Sequence, residues 1–84
     1  MFCCYILYSR KYKKFYVGQT GDLISRFHSH NELSTKGYTA KFRPWLVVYV
    51  EFFDSRSEAL KREKQMKGGK GREWIKQTIL PLYE

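Results

Sequence analysis

The chain has 84 residues, so it makes one domain, residues 1–84, with one modest core; at this size folding buries only slightly more than about 60% of the unfolded chain's surface, and repeats or a second domain are excluded. Sixteen Lys plus Arg against eight Asp plus Glu give a net charge of +8 and a pI near 9.7, which points to a polyanionic partner, nucleic acid ahead of an anionic membrane surface. No apolar run approaches the roughly 20 residues of a membrane span, the basic residues are not gathered on one amphipathic helix, and no leader pattern opens the chain, so a cytoplasmic protein without a membrane partner is expected.

Residues 3–9 (Cys-Cys-Tyr-Ile-Leu-Tyr-Ser) and 15–20 (Phe-Tyr-Val-Gly-Gln-Thr) are rich in aromatic and β-favouring residues, and residues 10–14 between them suit a hairpin loop. Side chains alternate along a strand, so Tyr5 shares a face with Cys3 and Leu7, and Tyr16 with Gly18 and Thr20. Two phenols can then meet across the hairpin, beside a glycine that leaves room for a ligand. Ordinary sheet aromatics are the plainer alternative. Adjacent Cys3 and Cys4 point to opposite faces, are poorly placed to bridge each other or share a zinc, and read as buried thiols in a reducing compartment.

Thr20-Gly21-Asp22 is a helix-start signal: a residue able to cap, then an acid in the first turn. Leu23 and Phe27 would face the sheet, with Arg26 and His30 along the edge of the same stripe and the helix ending near His30 and Asn31. Asp22 lies four residues before Arg26, so a surface ion pair is the plain alternative role for that arginine. Residues 31–44 read as a basic loop in which Lys36, Lys41 and Arg43 alternate with Tyr38 and Phe42, a pattern that suits phosphates on the cations and an unstacked base on a ring. A solvated loop anchored by Phe42 explains it equally well.

The run Trp45-Leu46-Val47-Val48-Tyr49-Val50 lacks alternation, which predicts a central or well-packed strand covered on both faces, with helices above and below. Ser55 and Glu58 have capping-box spacing and open the main helix, whose apolar side is Ala59, Leu60 and Met66. Glu63 falls in the middle of that stripe, where a carboxylate needs a partner, a metal or a proton; a structural ion pair with Arg26 is the bland reading. Gly68-Gly69-Lys70-Gly71 breaks the helix, and residues 72–80 form a last one, packed through Trp74, Ile75, Thr78 and Ile79 and ended by Pro81. Between residues 61 and 76 seven basic residues, Lys67 and Lys70 among them, outnumber Glu63 and Glu73, a plausible phosphate-facing surface.

Tyr5 after Cys3-Cys4, then Tyr16-Val17-Gly18, Arg26 and Glu63, with Lys36-Gly37-Tyr38-Thr39 and Arg43-Pro44-Trp45 between, resembles the GIY-YIG endonuclease domain over nearly the whole chain. The similarity is strongest to small single-domain bacterial proteins akin to the nuclease module of the UvrC excision-repair subunit. This resemblance implies an α+β fold, a small three-stranded antiparallel sheet flanked by helices, and a site that cuts phosphodiesters with one divalent metal, Mg2+ or Mn2+. By position, Glu63 matches the metal-binding carboxylate, Arg26 the arginine that stabilises the charged transition state, and Tyr5 and Tyr16 the motif tyrosines, one of which helps deprotonate the attacking water. Gly18 matches the glycine that lets backbone and substrate approach. A phenol is a poor base near neutral pH, so Arg26 or His30 would assist it. Three departures stand out: the first motif keeps only its tyrosine, Gln19 replaces a lysine, and His30 replaces a tyrosine. The carboxy-terminal asparagine of the UvrC group has no counterpart. The expected function is a metal-dependent DNA endonuclease, structure-specific in repair or recombination, with RNA an open alternative as substrate. The competing readings are a binding module of the same fold that cuts little or nothing, and a small basic interaction protein.

Overall fold

In the computed structural model, which describes residues 1–33 and 37–84, three strands form an antiparallel sheet in the order β2-β1-β3. These are β1 (Phe2–Ser9), β2 (Lys14–Thr20) and β3 (Leu46–Phe53). Helix α1 (Leu23–His28) runs on through a π-helical turn, Ser29–Leu33, and a single turn α2 (Tyr38–Lys41) precedes β3. Helix α3 (Arg56–Lys67) follows, then α4 (Gly69–Trp74), which continues through a second π turn, Ile75–Ile79, into a 3-10 turn, Leu80–Leu82. The α+β class and the flanked three-stranded sheet expected from the resemblance are what the chain forms. No helix among the described residues is long and apolar enough to cross a membrane.

Strand β1 is the centre of the domain. Its residues are buried from Cys3 to Ser9, and the alternation of its side chains feeds two cores. Cys4, Ile6 and Tyr8 pack with Val17, Met66, Ile75, Ile79 and Leu80 under α3 and the carboxy-terminal turns. Cys3, Tyr5 and Leu7 pack on the other face with Trp45, and Tyr16, Leu23, Phe27 and Phe42 close over them. Both cysteines are free thiols, one in each core, as adjacent strand residues must be.

The expectation of a central strand at residues 45–50 is corrected: β3 pairs with β1 alone and lies at an edge, with Leu46, Val47 and Phe52 exposed. A register shift interrupts the pairing opposite Ile6 and Leu7, where Ile6 pairs Tyr49 and Leu7 pairs Val47. The extra residue, Val48, resets the phase of the strand, so Val48 and Tyr49 both reach one core and Val50 the other. The unbroken apolar run therefore records a bulge and side chains that reach both cores from an edge strand.

Local signals placed the helices with small corrections. Asp22, not Thr20, is the N-cap of α1 and accepts from the Ser25 amide at 3.2 Å, while Thr20 accepts from the Asp22 amide at 3.0 Å. Ser55 caps α3, its Oγ accepting from the Glu58 amide at 3.3 Å, while Glu58 Oε1 accepts at 3.0 Å from the Ser55 hydroxyl rather than from its amide as in a full capping box. Leu60 and Thr78 are exposed rather than packed. Gly69, Lys70 and Gly71 belong to α4 itself, after a break at Gly68. A side chain at Gly71 would strike the Gln65 carbonyl and the Met66 backbone, so the close approach of α4 to the end of α3 requires glycine there. Arg62 grips Glu51 of β3 with two nitrogens at 3.1 Å, which ties α3 to the far edge of the sheet.

Candidate active site

The hairpin register sets the site. Tyr5 pairs Gly18 and Leu7 pairs Tyr16, so the two tyrosines are diagonal neighbours on one face, with ring centroids 6.4 Å apart. A Cβ at Gly18 would collide with the Tyr5 hydroxyl and ring. The space over Gly18 thus holds the Tyr5 phenol, where the sequence suggested room for a ligand.

His30, from the π turn after α1, forms a triangle of rings with the two phenols. Its ring lies 4.9 Å from that of Tyr16, its Nε2 is 2.9 Å from the Tyr5 hydroxyl, and its Nδ1 is 3.0 Å from Thr39 Oγ1. Burial, then the nearby guanidinium charges of Arg26 and Arg43, hold the imidazole below its usual value of 6.5, so it is neutral at physiological pH. Burial, with the neighbouring Tyr16, pushes the Tyr5 phenol well above its ordinary value, and a hydrogen bond from Arg26 only partly opposes that. With the phenol protonated and the imidazole neutral, every donor is used when Tyr5 donates to Nε2 and Nδ1–H donates to Thr39. Tyr5 is 1% exposed and His30 6%. Both are supports beneath the surface.

Tyr16 is half-buried and lines an open hollow of about 320 Å³ with Phe15, Val17, Tyr38, Lys67 and Arg72. Arg26 is exposed on α1, borders a separate shallow depression with Thr20, Asp22, Ser25 and Ser29, and acts electrostatically on both Tyr5 and His30. Asp22 is engaged in the cap, and among the described residues no ion pair joins it to Arg26.

Glu63, on α3, is linked to this cluster through Lys67. Its side chain keeps 18% of its surface open, and its partner is Lys67, at 3.0 Å, rather than Arg26. The Lys67 ammonium in turn sits 5.8 Å from the centroid of the Tyr16 ring. A surface pair of this spacing contributes only about 0.3–0.5 kcal/mol, weak enough for a divalent ion to displace. Magnesium and manganese prefer oxygen donors and keep several waters. One open carboxylate fits such a mostly hydrated ion. No three His, Cys, Asp or Glu converge among the described residues, so a closed all-protein cage is not what this chain offers.

The sequence-selected cations divide. Lys67 is at the site, Lys41 is exposed at the end of α2, and Lys70 borders a different hollow with Arg62, Gln65, Met66, Gly71 and Trp74. Lys36 lies outside the described residues. Arg43, assigned from sequence to nucleic acid, donates to the carbonyls of His30 at 2.8 Å and Ser29 at 3.3 Å, so it holds the π turn in place. Trp45 does the same for the segment before β3: its amide donates to Asn31 Oδ1 and its indole to the Thr39 carbonyl, each at 2.8 Å. Sequence reasoning passed over Thr39, Phe15 and Arg72. Thr39 stood inside a segment already singled out, and Arg72 within the basic excess of the last third, but no spacing rule points either one at Tyr16.

A GIY-YIG catalytic domain model matches residues 1–77. A UPF0213 protein of Staphylococcus saprophyticus is 44% identical over 52 residues, which cover 62% of this chain and 63% of that protein. UPF0213 proteins of Staphylococcus haemolyticus and Staphylococcus aureus are each 40% identical over the same coverage. The chain thus aligns with about 63% of the length of these relatives. A match running from β1 into the turn after α4, together with two motif tyrosines joined across a β2-β1-β3 sheet, makes this chain a member of the GIY-YIG catalytic domain family.

Proposed function

We propose that this protein is a metal-dependent endonuclease that hydrolyses phosphodiester bonds in DNA. The observation that carries the reading is a run of neighbours, Glu63 paired with Lys67, Lys67 beside the Tyr16 ring, Tyr16 against His30 and Arg26 acting on His30, an acid followed by four kinds of proton-bearing or cationic group in a strongly basic protein. A nucleic-acid binder needs the cations but not a carboxylate among them. Glu63 would hold Mg2+ or Mn2+, which when bound supplies charge stabilisation at the phosphoryl oxygens.

The remaining work falls to this chain's own groups. Arg26 presents an exposed guanidinium that can stabilise charge developing on the scissile phosphate. Tyr16 is the phenol with access to a water in the hollow, so it is assigned the proton-relay role, and Tyr5 is assigned to positioning. Neutral His30 holds Tyr5 in a fixed rotamer and packs against Tyr16, so its part is also positioning. The buried free thiols suit a reducing compartment, and we place the protein in the cytoplasm. A role in repair or recombination extends the same reading through the likeness to the UvrC module.

The test is a cleavage assay on single-stranded, duplex, flap and four-way DNA with magnesium, manganese or chelator. Metal-dependent cutting of at least one structure is expected. Binding of all four with no cutting under any metal would leave a binding module of the same fold.

A further inference from the structure

The hollow beside Tyr16 is shaped for more than a phosphate. Three aromatic rings, Phe15, Tyr16 and Tyr38, and two cations, Lys67 and Arg72, wall its space of about 320 Å³, at the low end of the roughly 300–1,000 Å³ of small-ligand sites. Tyr38 is 44% exposed although Phe42 and Trp45 back it at 4.9 and 6.0 Å between centroids. Arg72 is fixed by donation from its Nε to the Lys67 carbonyl at 2.9 Å, and its guanidinium lies 6.0 Å from the Phe15 ring. Phe15, Tyr38 and Arg72 also wall a neighbouring hollow of about 370 Å³, to which Lys13, Lys14 and Lys76 add charge. Glu84 borders that second space, and its carboxylate accepts from the Tyr8 hydroxyl at 2.8 Å.

Rings and cations interleaved in this way match a base face flanked by phosphates. In a duplex the faces are stacked away and no ring can reach them. We infer that this hollow is a subsite for one unpaired nucleobase, and that the adjoining basic space carries the single DNA strand leading away from the cut phosphate. The favoured substrates are then DNAs with a single-stranded segment next to the site. The inference rests on the nuclease reading of the adjoining residues, and it is tested by binding without metal so that the two can fail separately.

Fluorescence anisotropy in chelator would compare a single strand, a duplex and a flapped duplex of matched sequence, with wild type, Tyr38→Ala, Tyr38→Phe and Arg72→Gln. Wild type should bind single strand and flap more tightly than duplex. Tyr38→Ala should weaken both by about 5- to 150-fold and leave the duplex nearly unchanged, and Tyr38→Phe should keep most of the affinity. Arg72→Gln should weaken the same two ligands, and it serves in place of Tyr38→Ala if that variant does not fold. Equal binding of duplex and flap, or an equal loss on all three ligands, would overturn the subsite. Tyr38-dependent binding of a flap that is never cut would support the subsite while removing the nuclease reading.

Discussion

Gly18→Ala tests how the site is assembled. The added methyl would overlap the Tyr5 hydroxyl and ring, and the Tyr5 side chain has little room to move, being 1% exposed and bonded to His30 at 2.9 Å. Overpacking of this kind costs about 1–3 kcal/mol, and loss of the phenol–imidazole hydrogen bond adds about 0.5–1.5 kcal/mol. The sum, about 1.5–4.5 kcal/mol, is a large part of the roughly 4–13 kcal/mol expected for a domain of this length, and it corresponds to a fall in Tm of about 8–26 °C. Urea unfolding followed by the fluorescence of Trp45 and Trp74 would measure it. The collision is with Tyr5 specifically, so the cost should shrink by about 1 kcal/mol when the hydroxyl is removed by Tyr5→Phe. A Gly18→Ala protein of unchanged stability, or costs that simply add in the double variant, would refute the packing of Tyr5 over Gly18.

Three further outcomes are expected. His30 is held below its unfolded value, so the unfolded state binds the extra proton, and the histidine's contribution to stability is full above about pH 6.5 and lost as pH falls toward the folded value. His30→Gln should therefore flatten the acid side of the stability profile relative to wild type; parallel profiles would show that His30 is not held neutral. Gly71→Ala drives a methyl into backbone of α3 that cannot swing aside, so its cost, by the same denaturation, should reach about 3 kcal/mol or more, and a neutral result would remove the close approach of α3 and α4. Affinity for DNA should fall with a log–log salt slope of about −0.9 per phosphate neutralised, and Arg72→Gln should reduce that slope by about one contact if Arg72 meets a phosphate.

The parts of the fold written in local chemistry were readable from residues alone. The Ser55 cap, the strand pair at residues 3–9 and 15–20, and the meeting of Tyr5 with Tyr16 all follow from spacing and alternation. Strand order did not follow, because an apolar run reports burial of side chains and not the number of hydrogen-bonded neighbours, and the run at residues 45–50 reaches both cores from an edge position. The partner of Glu63 escaped for a related reason. Helical periodicity placed it in the buried stripe, but its side chain stays partly open and Lys67, one turn on, takes the carboxylate. The hold of Arg43 on the main chain of Ser29 and His30 was not legible, because nothing in a basic loop distinguishes a guanidinium that meets phosphate from one that grips carbonyls.

The central claim is that Glu63 belongs to the cutting machinery rather than to the surface, and Glu63→Gln tests it most directly. The variant would be compared with wild type on one DNA substrate, for binding in chelator and for cleavage in magnesium or manganese. Among the described residues the carboxylate bonds only Lys67, so the variant should fold normally and bind DNA as well as wild type or better, while cleavage is lost. Normal cleavage by Glu63→Gln would contradict the account.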